Sequence, residues 1–295
     1  MLFVNSIRSC TNSIGHTVYL VAPVSQRSGF GGKFDVPTSP TLQTDGEFAY
    51  VKAGAPSWDH EPEDDHIWYF NGTPASCVAF WLKYVSPKYF QNVSVDLVVS
   101  GPNEGTNMSP GMFTLSGTMG ATYNAVYRGI PAVAFSGSNS NNSLYSDDLD
   151  LNDPLSPSTI YAEKTTEFVN QLFKAAGDNR VLPLGVGINV NYPKVGYQSK
   201  DEACISPNWV HTRLTGQYAY GADLAYNETS NSFSYTPSQW EALTVCENGD
   251  CSLPSENTVV EHSGCETAYS VFDIDYDADT HLSQLVGGLV APISN

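Results

Sequence analysis

Asn103, Asn107, Ser116, Gly117 and Thr118 fall within one stretch, "VDLVVSGPNEGTNMSPGMFTLSGTMGATYNAVYRG", which runs from Val95 to Gly129. An apolar run ends at "VVSG", a polar and glycine-bearing loop follows, and a helical pattern opens at "SGT". A helix start offers unpaired N–H groups and about half a positive charge, which together make a seat for an anion. Gly117 lets a ligand come close to the backbone. The hydroxyls of Ser116 and Thr118 can donate to ligand oxygens, and Asn103 and Asn107 add neutral oxygens and amides. The chemistry is that of a phosphate site assembled without cations. The plainer alternative is an ordinary capped helix after a long loop.

Composition narrows the partners. The chain has 295 residues, 41% of them hydrophobic, which is enough for a sizeable core. The formal net charge is −18 with only 13 Lys and Arg. A duplex nucleic acid is therefore excluded as a partner, because phosphate backbones need clustered cations. A phosphate ligand would need help from a metal or from backbone amides. No apolar run reaches the roughly 18–20 residues of a membrane helix, so no membrane partner is expected.

The six cysteines are Cys10, Cys77, Cys204, Cys246, Cys251 and Cys265, and none has the CxxC spacing of a zinc site. The late four could form two disulfides, which would mean an oxidising compartment. Cys246 and Cys251 are near enough to pair around "ENGD", but cysteine spacing leaves the connectivity open. Glycosylation sequons begin at Asn71, Asn92, Asn107, Asn141 and Asn227. The opening "MLFVNSIRSC" has no basic lead and too short an apolar stretch for a signal peptide. A secreted body with such a start reads as truncated upstream.

The elements that must position these groups follow from pattern. "TVYLVAP" (Thr17 to Pro23), "VDLVVSG", "PAVAFSG" (Pro131 to Gly137) and "LGVGINVNYP" (Leu184 to Pro193) read as buried strands. "GTPASCVAFWLKYV" reads as a helix capped at Thr73 with Pro74 at its first position. Ser116 to Arg128 reads as a second helix ended by Gly129, and "IYAEKTTEFVNQLFKAAGD" as a third. Residues 138–158 read as a surface loop. Alternating strands and helices predict an α/β fold: a Rossmann-like, mostly parallel sheet with helices on both faces, over residues 1–194. Residues 195–295 read as a β-rich C-terminal region with disulfides. In an open parallel sheet, ligands sit beyond the carboxyl ends of the strands, which is where "VVSGPNEGTN" falls.

Those residues also carry a family resemblance. "VDLVVSGPNEGTN…LSGTMGATYNAVYRGIPAVAFS" resembles the SurE family of metal-dependent phosphatases and nucleotidases, in particular its fungal acid-phosphatase branch. "VYLVAPVSQRSGFGG", "NGTPASCV" and "LGVGINVNYP" agree with it in order and spacing, over roughly residues 16–193. "AYSVFDIDYDAD" agrees less closely. The resemblance implies hydrolysis of phosphate monoesters or nucleotides with one divalent metal ion (Mg, Mn or similar). Ser28 and Asn103 would be metal ligands, and Asn103, Ser116 and Thr118 catalytic groups. Asn107, Ser116, Gly117 and Thr118 would bind substrate. It further implies a homodimer and, at Cys77, a free core thiol, which leaves the late four cysteines for two bridges and Cys10 unpaired.

One departure stands out. The family's first strand ends in Asn-Asp-Asp-Gly, and those carboxylates charge the metal site. Here "LFVNS" could be that strand, but Ser6 and Ile7 then stand where the Asp pair belongs. Either the N-terminus is truncated, or metal and activity have been lost. In both cases the chain is expected to be weakly active or inactive. The rival readings are an inactive homologue that binds phospho-ligands or is structural, and an esterase on the same sheet.

Other clusters read as structural. "DHEPEDDHIW" is expected to be a solvated acidic loop, and "DIDYDAD" an edge strand with an outward acidic face. No Gly-x-Ser-x-Gly elbow is present. His16 reads as a turn residue, and His211 as structural, though the first to mutate if a general acid were sought.

Overall fold

The structure, a computed structural model, describes residues 15–137, 150, 152–200, 204–246, 249–290 and 293. "LFVNS", Cys10, the sequon at Asn141 and most of the 138–158 loop lie outside the described residues.

Strands β1 (Leu20–Pro23), β2 (Trp58–Glu61) and β3 (Asp64–Phe70) make a small sheet in the order β1-β3-β2, with β1 parallel and β2 antiparallel to β3. Helix α1 (Pro74–Phe80) follows, with Pro74 at its start and Thr73 as its cap, as the sequence predicts. Ser76 Oγ accepts from Thr73 N at 2.9 Å and closes that start. Then come β4 (Val98–Glu104), α2 (Ser109–Leu115), α3 (Gly117–Tyr127), β5 (Ala132–Gly137), α4 (Pro157–Ala176) and β6 (Val186–Asn191). The C-terminal part supplies β7 (Asn208–Thr212), β8 (Gly221–Asn227), β9 (Ser232–Ser238), β10 (Glu266–Asp273) and α5 (Thr280–Val290).

The main sheet runs β4-β5-β6-β10-β7. Strands β4, β5 and β6 are parallel, β10 is antiparallel to β6, and β7 is parallel to β10. The fold class is therefore the α/β arrangement expected, with a mostly parallel sheet. Two strands that follow residue 195 extend that sheet, and β8 and β9 form a hairpin of their own. Strand β5 shows why helices cover both faces. All six of its residues are buried. Val133 and Phe135 pack with Ile160, Tyr161 and Val169 of α4, while Ala132 and Ala134 pack with Met119, Ala125 and Val126 of α3. Alternate side chains of a strand point to opposite faces, so a strand buried at every position needs cover on both.

Two acidic stretches depart from expectation. "DHEPEDDHIW" is the β2–β3 hairpin rather than a loop. Trp58 and Trp68 stack across it at 6.3 Å, and Trp68 is buried in an aromatic cluster with Phe70, Phe80 and Trp81. Aromatic burial outweighs the charges, which gather toward the turn. "DIDYDAD" is not an edge strand: β10 ends at Asp273 and lies between β6 and β7. Beyond it the aspartates fold the backbone into turns. Asp273 accepts from Asp275 N at 3.1 Å, Asp275 from Asp277 N at 3.0 Å, and Asp279 from His281 N at 2.8 Å.

Cys204 pairs with Cys265, and Cys246 with Cys251, while Cys77 is free and buried. No helix among the described residues is long and apolar enough to cross a membrane. The two bridges should differ in effect. Cys204–Cys265 closes 61 residues and Cys246–Cys251 only 5. By loop entropy the first contributes about 4 kcal/mol and the second about 2 kcal/mol. Urea melts of Cys265→Ser and Cys251→Ser variants are expected to show the larger loss for Cys265→Ser.

Candidate active site

The site forms around the start of α3. Ser116 is the N-cap, and its Oγ accepts from Met119 N at 3.2 Å. Its carbonyl accepts from Gly120 N at 2.9 Å. Among the described residues this leaves the N–H groups of Gly117 and Thr118 without a hydrogen-bond partner. Both residues lie on the wall of a cavity of about 1250 Å³, and so do Ser28, Asn103, Arg27 and Glu104.

Three neighbours fix the helix start. On one side, Ser100 Oγ on β4 donates to Thr118 O at 2.9 Å. On another, the loop after β1 presses in: Gly31 N donates to Leu115 O at 2.8 Å. A Cβ on Gly120 would stand 2.2 Å from Gly31 O, so only glycine permits this approach. From the third side, a Cβ on Gly117 would meet Pro74 Cγ at 3.0 Å and Arg27 O at 3.4 Å. Thr73 ties the same loop to α1, since its Oγ1 donates to Lys33 O at 2.6 Å and accepts from Asp35 N at 3.2 Å.

The cavity runs between two sheet edges. Among the described residues β1 ends one sheet and β4 the other, and both strands line it. Cys77, Val78, Trp81, Leu82, Val169 and Phe173 give it an apolar wall. Ser28 follows the carboxyl end of β1 and Asn103 lies near that of β4, so the two stand on opposite banks. The Nδ2 of Asn103 donates to Glu104 O at 3.0 Å and Gly105 O at 2.8 Å, which leaves Oδ1 as its acceptor. Burial pushes the Glu104 carboxyl above the usual carboxylate range, and Glu47 adds to the shift.

Not every residue singled out from sequence reaches the cavity. Asn107 is buried behind it: its N donates to Asn191 Oδ1 at 2.7 Å and its Nδ2 to Ser136 Oγ at 2.7 Å. With its amide nitrogen engaged, Asn107 is no glycan acceptor in the folded chain. The Ser116 hydroxyl is buried as the cap of α3. His211 stacks on Tyr269 at 5.0 Å, and His16 bonds Asn170 Oδ1 through Nε2 at 3.0 Å. Sequence reading missed Arg27, whose Nε donates to Gly72 O at 3.1 Å, and Glu104. Their adjacency to Ser28 and Asn103 was the available signal.

Comparison with known proteins decides the kinship. Residues 3–217 match the family described as Survival protein SurE. The chain belongs to the SurE family. An acid phosphatase of Yarrowia lipolytica is 44% identical over 265 residues, covering 90% of this chain and 73% of that protein. A 5'-nucleotidase SurE of Desulfovibrio desulfuricans is 33% identical over 194 residues, covering 65% of this chain and 62% of its own length. The crystal structure of a SurE protein from Aquifex aeolicus superposes with a TM-score of 0.64 at 18% identity, over 98% of this chain and 94% of that one, and shows the shared fold.

The close approach at Gly120 makes a direct prediction. Gly120→Ala is expected to lose about 1–3 kcal/mol of stability by overpacking, because its neighbour is backbone and cannot rotate away. Thermal unfolding of the variant measures it, and an unchanged midpoint would contradict the packing described.

Proposed function

We propose that the chain is a SurE-type hydrolase of phosphate monoesters, taking small phosphomonoesters or nucleotides at the start of α3. One observation carries this reading: the N–H groups of Gly117 and Thr118, without a partner among the described residues, lie on a cavity wall in an otherwise acidic protein. The acid phosphatase and the 5'-nucleotidase among its relatives support the same substrate class. In this reading the phosphoryl oxygens lie against those N–H groups and the Thr118 hydroxyl. Negative charge that grows on them as water attacks phosphorus is held by dipoles already in place. Ser116 keeps the helix start shaped, and Asn107 supports it from behind. Asn103 and Ser28 present neutral oxygens across the cavity.

Kinship also implies a divalent cation, and the donors can be weighed against it. A hard cation wants several oxygen ligands, carboxylates foremost. Ser28 and Asn103 offer two neutral oxygens, and among the described residues no group of three or more His, Cys, Asp or Glu is gathered that could hold a metal. These residues alone do not fit a resident divalent ion, and no catalytic step is assigned through one. The neutral donor set also favours a second reading, in which the chain binds phospho-ligands without turning them over.

Two further points belong to the same proposal. The two disulfides suit an oxidising, secretory compartment, with Asn71, Asn92 and Asn227 as glycan acceptors. A homodimer is proposed by kinship, and the charge of −18 disfavours duplex nucleic acid.

The test joins binding to turnover. Orthophosphate affinity and p-nitrophenyl phosphate hydrolysis are measured across a manganese or magnesium titration and after chelation. Thr118→Ala is expected to weaken phosphate binding by about 1–2 kcal/mol through loss of a donor. An unchanged affinity would place the ligand elsewhere. An N-terminal extension bearing an apolar strand that ends in Asn-Asp-Asp-Gly is expected to raise metal-dependent turnover. Binding without any gain in turnover would favour the second reading.

A further inference from the structure

Behind the cavity lies a buried polar cluster that the proposed chemistry leaves unexplained. Glu256 is fully buried, as are Asn189, Asn191, Asn257, Ser270 and Ser109. Its Oε2 accepts from Ser109 N at 3.2 Å and its Oε1 from Asn189 Nδ2 at 2.9 Å. The same Asn189 Nδ2 donates to Asn107 O at 3.0 Å, and Asn191 Oδ1 accepts from Asn107 N at 2.7 Å. Asn257 Oδ1 accepts from Ser109 Oγ, which in turn accepts from Tyr220 N at 3.2 Å.

Ser109 needs this grip. It is a non-glycine residue at φ 64°, a left-handed backbone conformation that costs free energy unless its surroundings enforce it. It also opens α2, which leads directly into Ser116 and α3. We propose that Glu256 and Asn257 are positioning residues that clamp the Asn107–Ser109 turn and so set the start of α3 for its anion. The clamp couples the C-terminal region to the site and goes beyond the proposed hydrolysis. Its effect on phosphate rests on that proposal, but its effect on the turn does not.

The hydrogen bonds Glu256 accepts favour its carboxylate, while burial favours its protonated form. Among the described residues no charged side chain acts on Glu256. The groups facing it are Ser109 N, Ser270, Asn189 and Asn191, the last with Nδ2 short of hydrogen-bond geometry. Tyr220 is the ionisable neighbour, and burial with the charges of Glu261, Tyr235 and Glu256 raises it to about 12, so it stays neutral. Glu256 itself is pushed up to about 8, first by burial, against the hydrogen bonds it accepts. A folded-state value above the unfolded one means the fold binds the proton more tightly. This contribution to stability is full below the ordinary glutamate range and is lost as pH rises to about 8. Ionisation leaves an uncompensated charge buried against the turn, which strains the grip on Ser109 even though each accepted hydrogen bond strengthens.

Hydrogen exchange of the full chain tests this, read on peptides spanning Asn107–Ser109 and corrected for intrinsic rates at pH 5 and pH 9. Wild type should protect the turn at pH 5 and lose protection on the order of tenfold at pH 9. Glu256→Gln, neutral at both values, should keep its protection nearly constant. Glu256→Ala and Asn257→Ala should expose the turn at both. Orthophosphate affinity should follow protection across the set. Equal protection of the turn in wild type at both pH values, or in Glu256→Ala and wild type at pH 5, would overturn the clamp. Phosphate affinity that ignores a loosened turn would overturn its coupling to the site. A wild type that binds no phosphate would instead refute the proposed function, and the exchange data would still decide the clamp.

Discussion

Two backbone N–H groups without partners among the described residues are the constraint on which the rest of the structure depends. A helix start leaves such donors exposed by geometry, and a fold must cap them, hydrate them or offer them to a ligand. Here Ser116 satisfies one donor of the first turn, and Gly117 and Thr118 keep theirs on the cavity wall. Three neighbours that cannot easily yield hold the helix in that pose: the carbonyl of Gly31, the ring of Pro74 and the hydroxyl of Ser100. Each belongs to a different part of the chain, so the pose of α3 depends on the loop after β1, on α1 and on β4 together. Dipoles help an ion most when they need not reorient to meet it, and this packing supplies that rigidity.

Much of this could be read from residues alone. The strand at "PAVAFSG" and the cap at Thr73–Pro74 are local signals, a continuous apolar run and a proline at the one helical position that tolerates it. Ser28, Asn103, Gly117 and Thr118 line one cavity because the carboxyl ends of β1 and β4 both open onto it. The misreadings came where side-chain charge was taken as a sign of solvent. In "DHEPEDDHIW" Trp68 stacks across the hairpin on Trp58, just before that stretch, and the pair outweighs the carboxylates near the turn. In "DIDYDAD" the aspartates bond the backbone, so their alternation mimics a strand where the chain turns. Glu256 was invisible for a different reason. A lone glutamate in "LPSENTVV" carries no pattern, and its importance arises only when Asn189, some 67 residues away, is brought to 2.9 Å.

The C-terminal region is tied to the sheet in two chemically distinct ways. Strands β10 and β7 extend the ladder beyond β6, and the Cys204–Cys265 bridge joins the approaches to both. The second tie is polar: under the site Glu256 accepts from Ser109 N and Asn257 from the Ser109 hydroxyl, while Asn189, which Glu256 holds, donates to Asn107 O. Buried polar networks hold one arrangement well when satisfied and cost free energy when they are not. Among the described residues Asn189 Oδ1, Asn257 Nδ2 and Asn191 Nδ2 lack partners, so this network is only partly satisfied. Such a cluster is a poor source of stability and a good way to fix the register of a turn.

The same electrostatics connects the acidic surface to the buried acid. A chain of charge −18 repels a phosphate dianion at neutral pH, and every carboxylate protonated on acidification weakens that repulsion. Burial raises Glu256 to about 8 and shifts Glu104 on the cavity wall the same way. Protonating Glu104 removes a negative charge from the wall that carries Gly117 and Thr118, the same direction in which a less charged surface acts on an anion there.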